Sequence, residues 1–186
     1  IPQHWNVVRL GRLFRENRST NSDLSSLAPM KFGFGKIVKK SFTPDEQSRE
    51  EWRRYVLIEP KDIMVNGLNL NYDFVTQRIA MVEKGGCMTP AYISLRRRRE
   101  DIMPKFYNYT LKSLDSQKVL NGWGTGIRLT LNYSELKKKE LPQPSIEEQR
   151  AIAEHLDDFI AKSDELKQKI QTQIALLRER RTSLIS

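Results

Sequence analysis

"LPQPSIEEQRAIAEHLDDF", Leu141 to Phe159, carries the strongest punctuation in the chain. Pro142 and Pro144 disfavour helix before Ser145, because a proline ring crowds the preceding residue out of the α region. Ser145 and Glu148 then form the pattern S-x-x-E, in which each side chain accepts from the other residue's backbone N–H and so opens a helix. From Ile146 to Ser186 there is no proline and no glycine. The spacing predicts one helix over 145–186, about 60 Å long at ~1.5 Å per residue. Its apolar residues are Ile152, Leu156, Phe159, Leu166, Ile170, Ile174, Leu177 and Leu184, mostly three or four apart, with a one-residue drift at Ile174. A heptad-like stripe of this kind calls for a partner helix, either a second copy or a matching helix elsewhere in a longer chain. Packing along its own domain is the alternative, and the length of the rod counts against it.

The remainder bounds the class of protein. The chain has 186 residues, 38% hydrophobic and 30% charged, which suits one domain with an appendage. No apolar run reaches the ~18–20 residues of a membrane span, so no membrane partner is expected. The N-terminus, IPQHWNVVRLGRLF, reads neither as a signal h-region nor as a transit peptide, and the missing initiator Met suggests numbering from inside a longer protein. Cys87 is the single cysteine, which excludes an internal disulfide and suits a reducing, cytoplasmic setting. Residues 145–186 hold 7 basic and 8 acidic residues, whereas residues 1–144 hold 25 and 15. The basic excess therefore belongs to the first part, and such a field attracts polyanions, nucleic acid first among them. A merely soluble basic protein is the other reading.

The expected fold class is α+β, with a mixed, strand-rich domain over 1–144 followed by a long coiled-coil-forming helix over 145–186. Strands are predicted at Tyr55–Ile58, Ile63–Val65, Arg78–Val82, Ala91–Leu95 and Ile127–Leu131. Helices are predicted over Pro44–Arg54, capped by Thr43, and over Pro104–Leu114. Three polar loops join them: Ala28–Lys40 with Lys31 and Lys36, Asn66–Phe74 with Asn69 and Asn71, and Asn121–Arg128 ending in Arg128. Asparagine amides suit adenine, Arg and Lys suit guanine, and glycine lets backbone approach phosphate, so these loops are candidate DNA contacts as well as ordinary turns. The run Arg96–Arg99 points several ways around a strand end. Arg97 and Arg98 are accordingly expected on phosphates, with a solvated charge run as the alternative.

Catalysis has little support. The two histidines, His4 and His155, have no nucleophile or ligand cluster around them in sequence, and the Gly-rich GWGTGIR lacks the following helix and Lys-Ser/Thr of a phosphate loop. Asp45, Glu59 and Lys61 loosely match the spacing of metal-dependent nucleases. Asp45, however, falls at a helix start, and Pro60 interrupts the strand such a site requires.

Four segments resemble the DNA-specificity subunit of type I restriction–modification enzymes, specifically one half of it. They are HWNVVRLGRLF (His4–Phe14), YVLIEPKDIMVN (Tyr55–Asn66), GGCMTPAYISL (Gly85–Leu95) and, most specifically, LPQPSIEEQRAIAEHLD (Leu141–Asp157). The resemblance implies a target-recognition domain and one of two conserved helices, which pack antiparallel as a spacer between two DNA-reading heads. It implies a non-catalytic subunit with no cofactor of its own. Its partners would be double-stranded DNA, methyltransferase subunits that modify adenine with S-adenosylmethionine, and restriction subunits. Exposed rod residues such as Glu154, Asp158 and Arg180 are candidates for docking the modification subunits. A non-specific nucleic-acid-binding scaffold and a metal nuclease are the competing functions.

Overall fold

The computed structural model describes residues 1–33, 35–41, 45–71 and 77–185, with side chains of the last helix described to residue 183. Chain order begins β1 (Asn6–Arg9), α1 (Leu10–Leu13), β2 (Phe14–Glu16), β3 (Met30–Gly33), β4 (Lys36–Lys39) and α2 (Glu46–Trp52). It continues through β5 (Val56–Ile58), β6 (Ile63–Val65), β7 (Ile79–Met81), β8 (Gly86–Met88) and β9 (Ile93–Arg97). After α3 (Pro104–Ser116), a 3-10 turn at Val119–Trp123 and α4 (Tyr133–Leu136) come β10 (Glu140–Gln143) and the rod, α5 (Ile146–Ile185). The strand-rich head and long final helix are the α+β arrangement expected.

A four-stranded antiparallel sheet, in order β2-β9-β6-β7, organises the head. β6 lies inside it and is buried along its length, so its period of two assigns side chains to two cores. Ile63 and Val65 face the larger core with Phe106, Tyr107 and Leu111 of α3, while Met64 faces a smaller one with Met30, Ile58 and Met88. Each such buried aliphatic side chain stabilises the fold by about 1.5–3 kcal/mol. Pro104 at the first turn of α3, where its missing N–H costs nothing, explains why that helix starts where it does. Phe14 and Phe106 both meet Tyr107 edge-on, at 5.4 and 5.0 Å between ring centres.

Several expectations need correction. Residues 28–40 are not simply a loop: Met30–Gly33 and Lys36–Lys39 form a hairpin in register Lys31↔Val38 and Gly33↔Lys36. Residues 127–131 are not a strand, because Gly126 and Leu129 take left-handed backbone, at φ 76° and 42°, and close a turn instead. α2 is capped by Asp45, whose carboxylate accepts from the Ser48 N–H at 2.8 Å; Thr43 and Pro44, the expected start, lie outside the described residues. The prolines at 142 and 144 do more than stop a helix. Pro142 sits in β10, which pairs antiparallel with β1 (Val7↔Pro142, Val8↔Leu141) in a two-stranded ribbon where a missing donor is tolerated.

The predicted capping box is present: the Glu148 N–H donates to Ser145 Oγ at 3.2 Å, and the Ser145 N–H donates to Glu148 Oε2 at 3.0 Å. The next residue, Gln149, is buried. It accepts from the Met103 N–H at 2.9 Å and donates to the carbonyls of Asp101 and Pro144, binding the start of α5 to the start of α3. One helical turn after Ala153, which is buried, Asp157 accepts from Lys105 and from Tyr109. Beyond Asp157 every described residue of α5 except Ser163 is exposed, so the rod leaves the head as a free lever.

Glu148 also receives His4 Nε2 at 2.7 Å and donation from Trp5 Nε1 at 3.0 Å. His4, then Trp5, then the Ser145 N–H pull its carboxyl down from an ordinary 4.5 to about 2. A depressed carboxyl stabilises the fold above its unfolded value, and that contribution is lost as pH falls from 4.5 towards 2. Urea denaturation across this window is expected to show Glu148→Gln losing less stability on acidification than the wild type. Equal slopes for the two proteins would dismiss this role for Glu148.

Candidate nucleic-acid interface

Two of the predicted loops form one pinned unit. Arg78 is 2% exposed, and its guanidinium donates to the carbonyls of Leu68 (2.7 Å), Asn69 (3.2 Å) and Asn66 (3.3 Å), gathering the Asn66–Asn71 loop around one cation. Its backbone N–H donates to Asp115 on α3 at 2.7 Å, which fixes the base of the loop. The 121–131 segment lies alongside. Leu131 N–H donates to the Gly67 carbonyl (2.8 Å) and Leu70 N–H to that of Leu129 (3.1 Å), while Asn121 donates to the Leu70 carbonyl. The approach is so close that a Cβ on Gly67 would lie 2.0 Å from the Leu131 carbonyl oxygen, which is why glycine stands there.

The sequence candidates fall into two groups. Lys31 and Lys36 are exposed on the outer face of the β3–β4 hairpin, with Met30 and Phe32 turned to the smaller core. Asn69 and Arg128 are exposed on the paired loops. Asn71, by contrast, uses its amide to donate to the Ile127 carbonyl at 3.1 Å, so it holds one loop to the other. Arg97 pairs with Glu100 at 2.6 Å, and Arg98 donates to the Gly11 carbonyl at 2.9 Å. Their neighbours are occupied as well: Arg96 makes a two-pronged contact with buried Asp62 (2.9 and 2.8 Å) and reaches Glu59 at 3.1 Å, and Arg99 pairs with Asp101 at 3.0 Å. Arg96 thus ties the inner strand β9 to the turn before β6, and Arg98 ties the end of β9 to the first turns of the chain, while Arg97 and Arg99 pair locally. Sequence reasoning missed this because the partners of Arg96 and Arg98 are far away along the chain. It also missed Arg78, whose only signal is a cation heading the apolar stretch Ile79–Val82.

The residues of the nuclease pattern are employed separately, Asp45 on its cap and Glu59 on Arg96. Among the described residues no three His, Cys, Asp or Glu side chains gather as a metal site.

Along α5 the stripe divides. Ile152 and Leu156 are half-buried, Ile152 against the larger core, and thus serve the head. Phe159, Leu166, Ile170, Ile174 and Leu177 lie 44–66% exposed, and the side chain of Leu184 is outside the described residues. Glu154, Asp158 and Arg180 are exposed. No helix among the described residues is long and apolar enough to cross a membrane.

Comparison with known proteins gives a consistent result. The model of the family described as "Type I restriction modification DNA specificity domain" matches residues 69–176. Among solved structures, a chain from a study of complex assembly and conformational transition of the type I R-M system superposes with a TM-score of 0.64 at 18% identity, over 90% of this chain and 41% of that one. The HsdS subunit from Thermoanaerobacter tengcongensis gives 0.58 at 17% identity, over 90% and 40%. The S subunit of the type I restriction-modification system from M. genitalium gives 0.57 at 19%, over 89% and 42%. At these identities the likeness is one of fold, and the chain spans about two fifths of the length of each of these solved chains. No curated protein matches.

Proposed function

The chain belongs to the type I restriction modification DNA specificity domain family, and on that premise we propose that it is a non-catalytic reading head that recognises one half of a split DNA site. One observation carries the reading: the family match runs from Asn69 in the pinned loop to Leu176 on the rod, so it takes in both a candidate recognition surface and a spacer. In this role Asn69 and Arg128 contact bases or backbone from the paired loops, and Lys31 and Lys36 contact phosphates from the hairpin. Asn71, Arg97 and Arg98 act indirectly, by shaping the surface. The exposed apolar stripe of α5 takes a second helix, from another copy or from a second half. Glu154, Asp158 and Arg180 face the modification subunits, which together with restriction subunits supply the chemistry.

The test is selection of bound duplexes from a random DNA pool at near-physiological salt, with and without modification subunits. Enrichment of a short motif is the expected result. Salt-sensitive binding without a motif in either condition would replace this reading with a non-specific scaffold. On the enriched duplex, Arg128→Ala is expected to weaken binding by about 1–3 kcal/mol if the arginine pairs with a guanine. Lys36→Ala is expected instead to lower the salt slope by about 1 without changing the ranking of sequences.

A further inference from the structure

Ile127 is 95% exposed, more than any other large hydrophobic residue described. It occupies the tip of a turn closed by donation from the Leu129 N–H to the Gly126 carbonyl at 3.0 Å. Below the turn, Thr125 and Thr130 exchange both backbone hydrogen bonds, at 3.1 and 2.9 Å, as a single antiparallel bridge. The tip is also fixed from the side, since Asn71 donates to the Ile127 carbonyl and Leu70 to that of Leu129. Leu129 holds a left-handed backbone at φ 42°, a conformation that costs a residue with a Cβ about 1–2 kcal/mol. A rigid, strained turn thus presents an unburied aliphatic side chain to solvent beside Arg128. Stability gains nothing from isoleucine there, because a polar residue would meet the same backbone needs without exposing apolar surface. One exposed aliphatic residue is ordinary by itself. This one, however, sits on a tip held in place by Leu70 and Asn71, next to an exposed arginine, and is placed for contact with another molecule.

The chemistry of the partner follows from the setting. The head is strongly basic, and the neighbouring side chain is a free-standing arginine on the same turn. A narrow turn tip can reach a base edge in the major groove of B-DNA, where the one apolar feature is the C5 methyl of thymine. Insertion of the side chain between base steps is the competing use of an aliphatic tip, and belongs to minor-groove binders that kink the duplex. Resting on the DNA-reading function above, we propose that Ile127 is a specificity-determining residue that selects a thymine by packing on its 5-methyl group.

The test uses the duplex enriched in the selection and the same protein assembly that enriched it. Thymines are replaced one at a time by deoxyuridine, which removes only the methyl group, and binding is measured for wild type and Ile127→Ser. At one position the wild type is expected to lose about 3–10-fold in affinity, the scale of one buried methyl. Ile127→Ser should lose the same factor on the parent duplex and be insensitive to deoxyuridine at that position, with its melting temperature and salt slope unchanged. A motif without thymine, equal deoxyuridine sensitivity in both proteins, or full-strength binding of the variant to the parent duplex overturns the proposal while leaving the reading function intact. Kinked DNA with no methyl sensitivity overturns it in favour of insertion. A pool with no enriched motif in any condition defeats both the inference and the function beneath it.

Discussion

An Arg78→Met chain is expected to unfold in urea with about 3–5 kcal/mol less stability than the wild type, because three hydrogen bonds from a buried guanidinium are lost together. Methionine fills much of the same volume but donates nothing. The carbonyls of Asn66, Leu68 and Asn69 then face one another without the cation that now joins them. A hydrogen bond from a charged group contributes about 1.5–3 kcal/mol, and three are lost, although water can reach these part-buried carbonyls and offset some of the cost. Arg78→Lys should fall between the two, since an ammonium supplies the charge without the planar fork that spans three carbonyls. Any part of the variant that stays folded should also bind the selected duplex less tightly, because the loop carrying Asn69 loses its frame. A loss below about 1 kcal/mol would show that the loop is held by its pairing with 121–131 alone.

Asp62→Ala is expected to be nearly as damaging, by about 3 kcal/mol. Asp62 is 2% exposed, and it accepts from both prongs of Arg96 and from the Glu59 N–H at 3.0 Å. Its removal leaves a half-buried guanidinium with only the exposed Glu59 carboxylate. Adding Arg96→Met to Asp62→Ala should therefore recover part of the loss, since the second change removes the uncompensated charge. A double variant as unstable as the sum of the two single ones would show that the residues act independently. Because this pair is shielded, its contribution should also survive 1 M salt better than that of the exposed Lys167–Asp164 pair on α5.

The parts of the fold legible in the sequence were those governed by local rules. Ser145, Glu148 and the absence of breakers define the rod; Pro104 starts α3; Ile63–Val65 is a strand because all three residues are apolar and two are β-branched. What stayed hidden depends on distant partners. The alternation of Met30 and Phe32 inward with Lys31 outward was present, but too short and too rich in glycine and lysine to separate from a loop. Ile127–Leu131 has strand-like composition, yet the left-handed backbone at Leu129, reinforced by Leu70 and Asn71, turns it back on itself. Charge counting placed the basic excess in the head but could not tell free cations from employed ones. Arg96 finds its counter-charge 34 residues away and Arg98 its carbonyl 87 residues away, whereas Arg128 and Lys36 stay exposed.

The attachment of α5 to the head has a mechanical meaning. The helix is held by Gln149, Ala153 and the Lys105–Asp157–Tyr109 contact, and then runs on unsupported for a further 28 residues, from Asp158 to Ile185. That overhang is about 42 Å at ~1.5 Å per residue, so a tilt of roughly 10° at the root swings the far end by about 7 Å. Along a duplex, with ~3.4 Å between successive base pairs on a strand, such an error amounts to about two pairs. Under the proposed function, the angular play of a few side chains at the root, more than the length of the helix, would then set how finely two such heads gauge the distance between their sites.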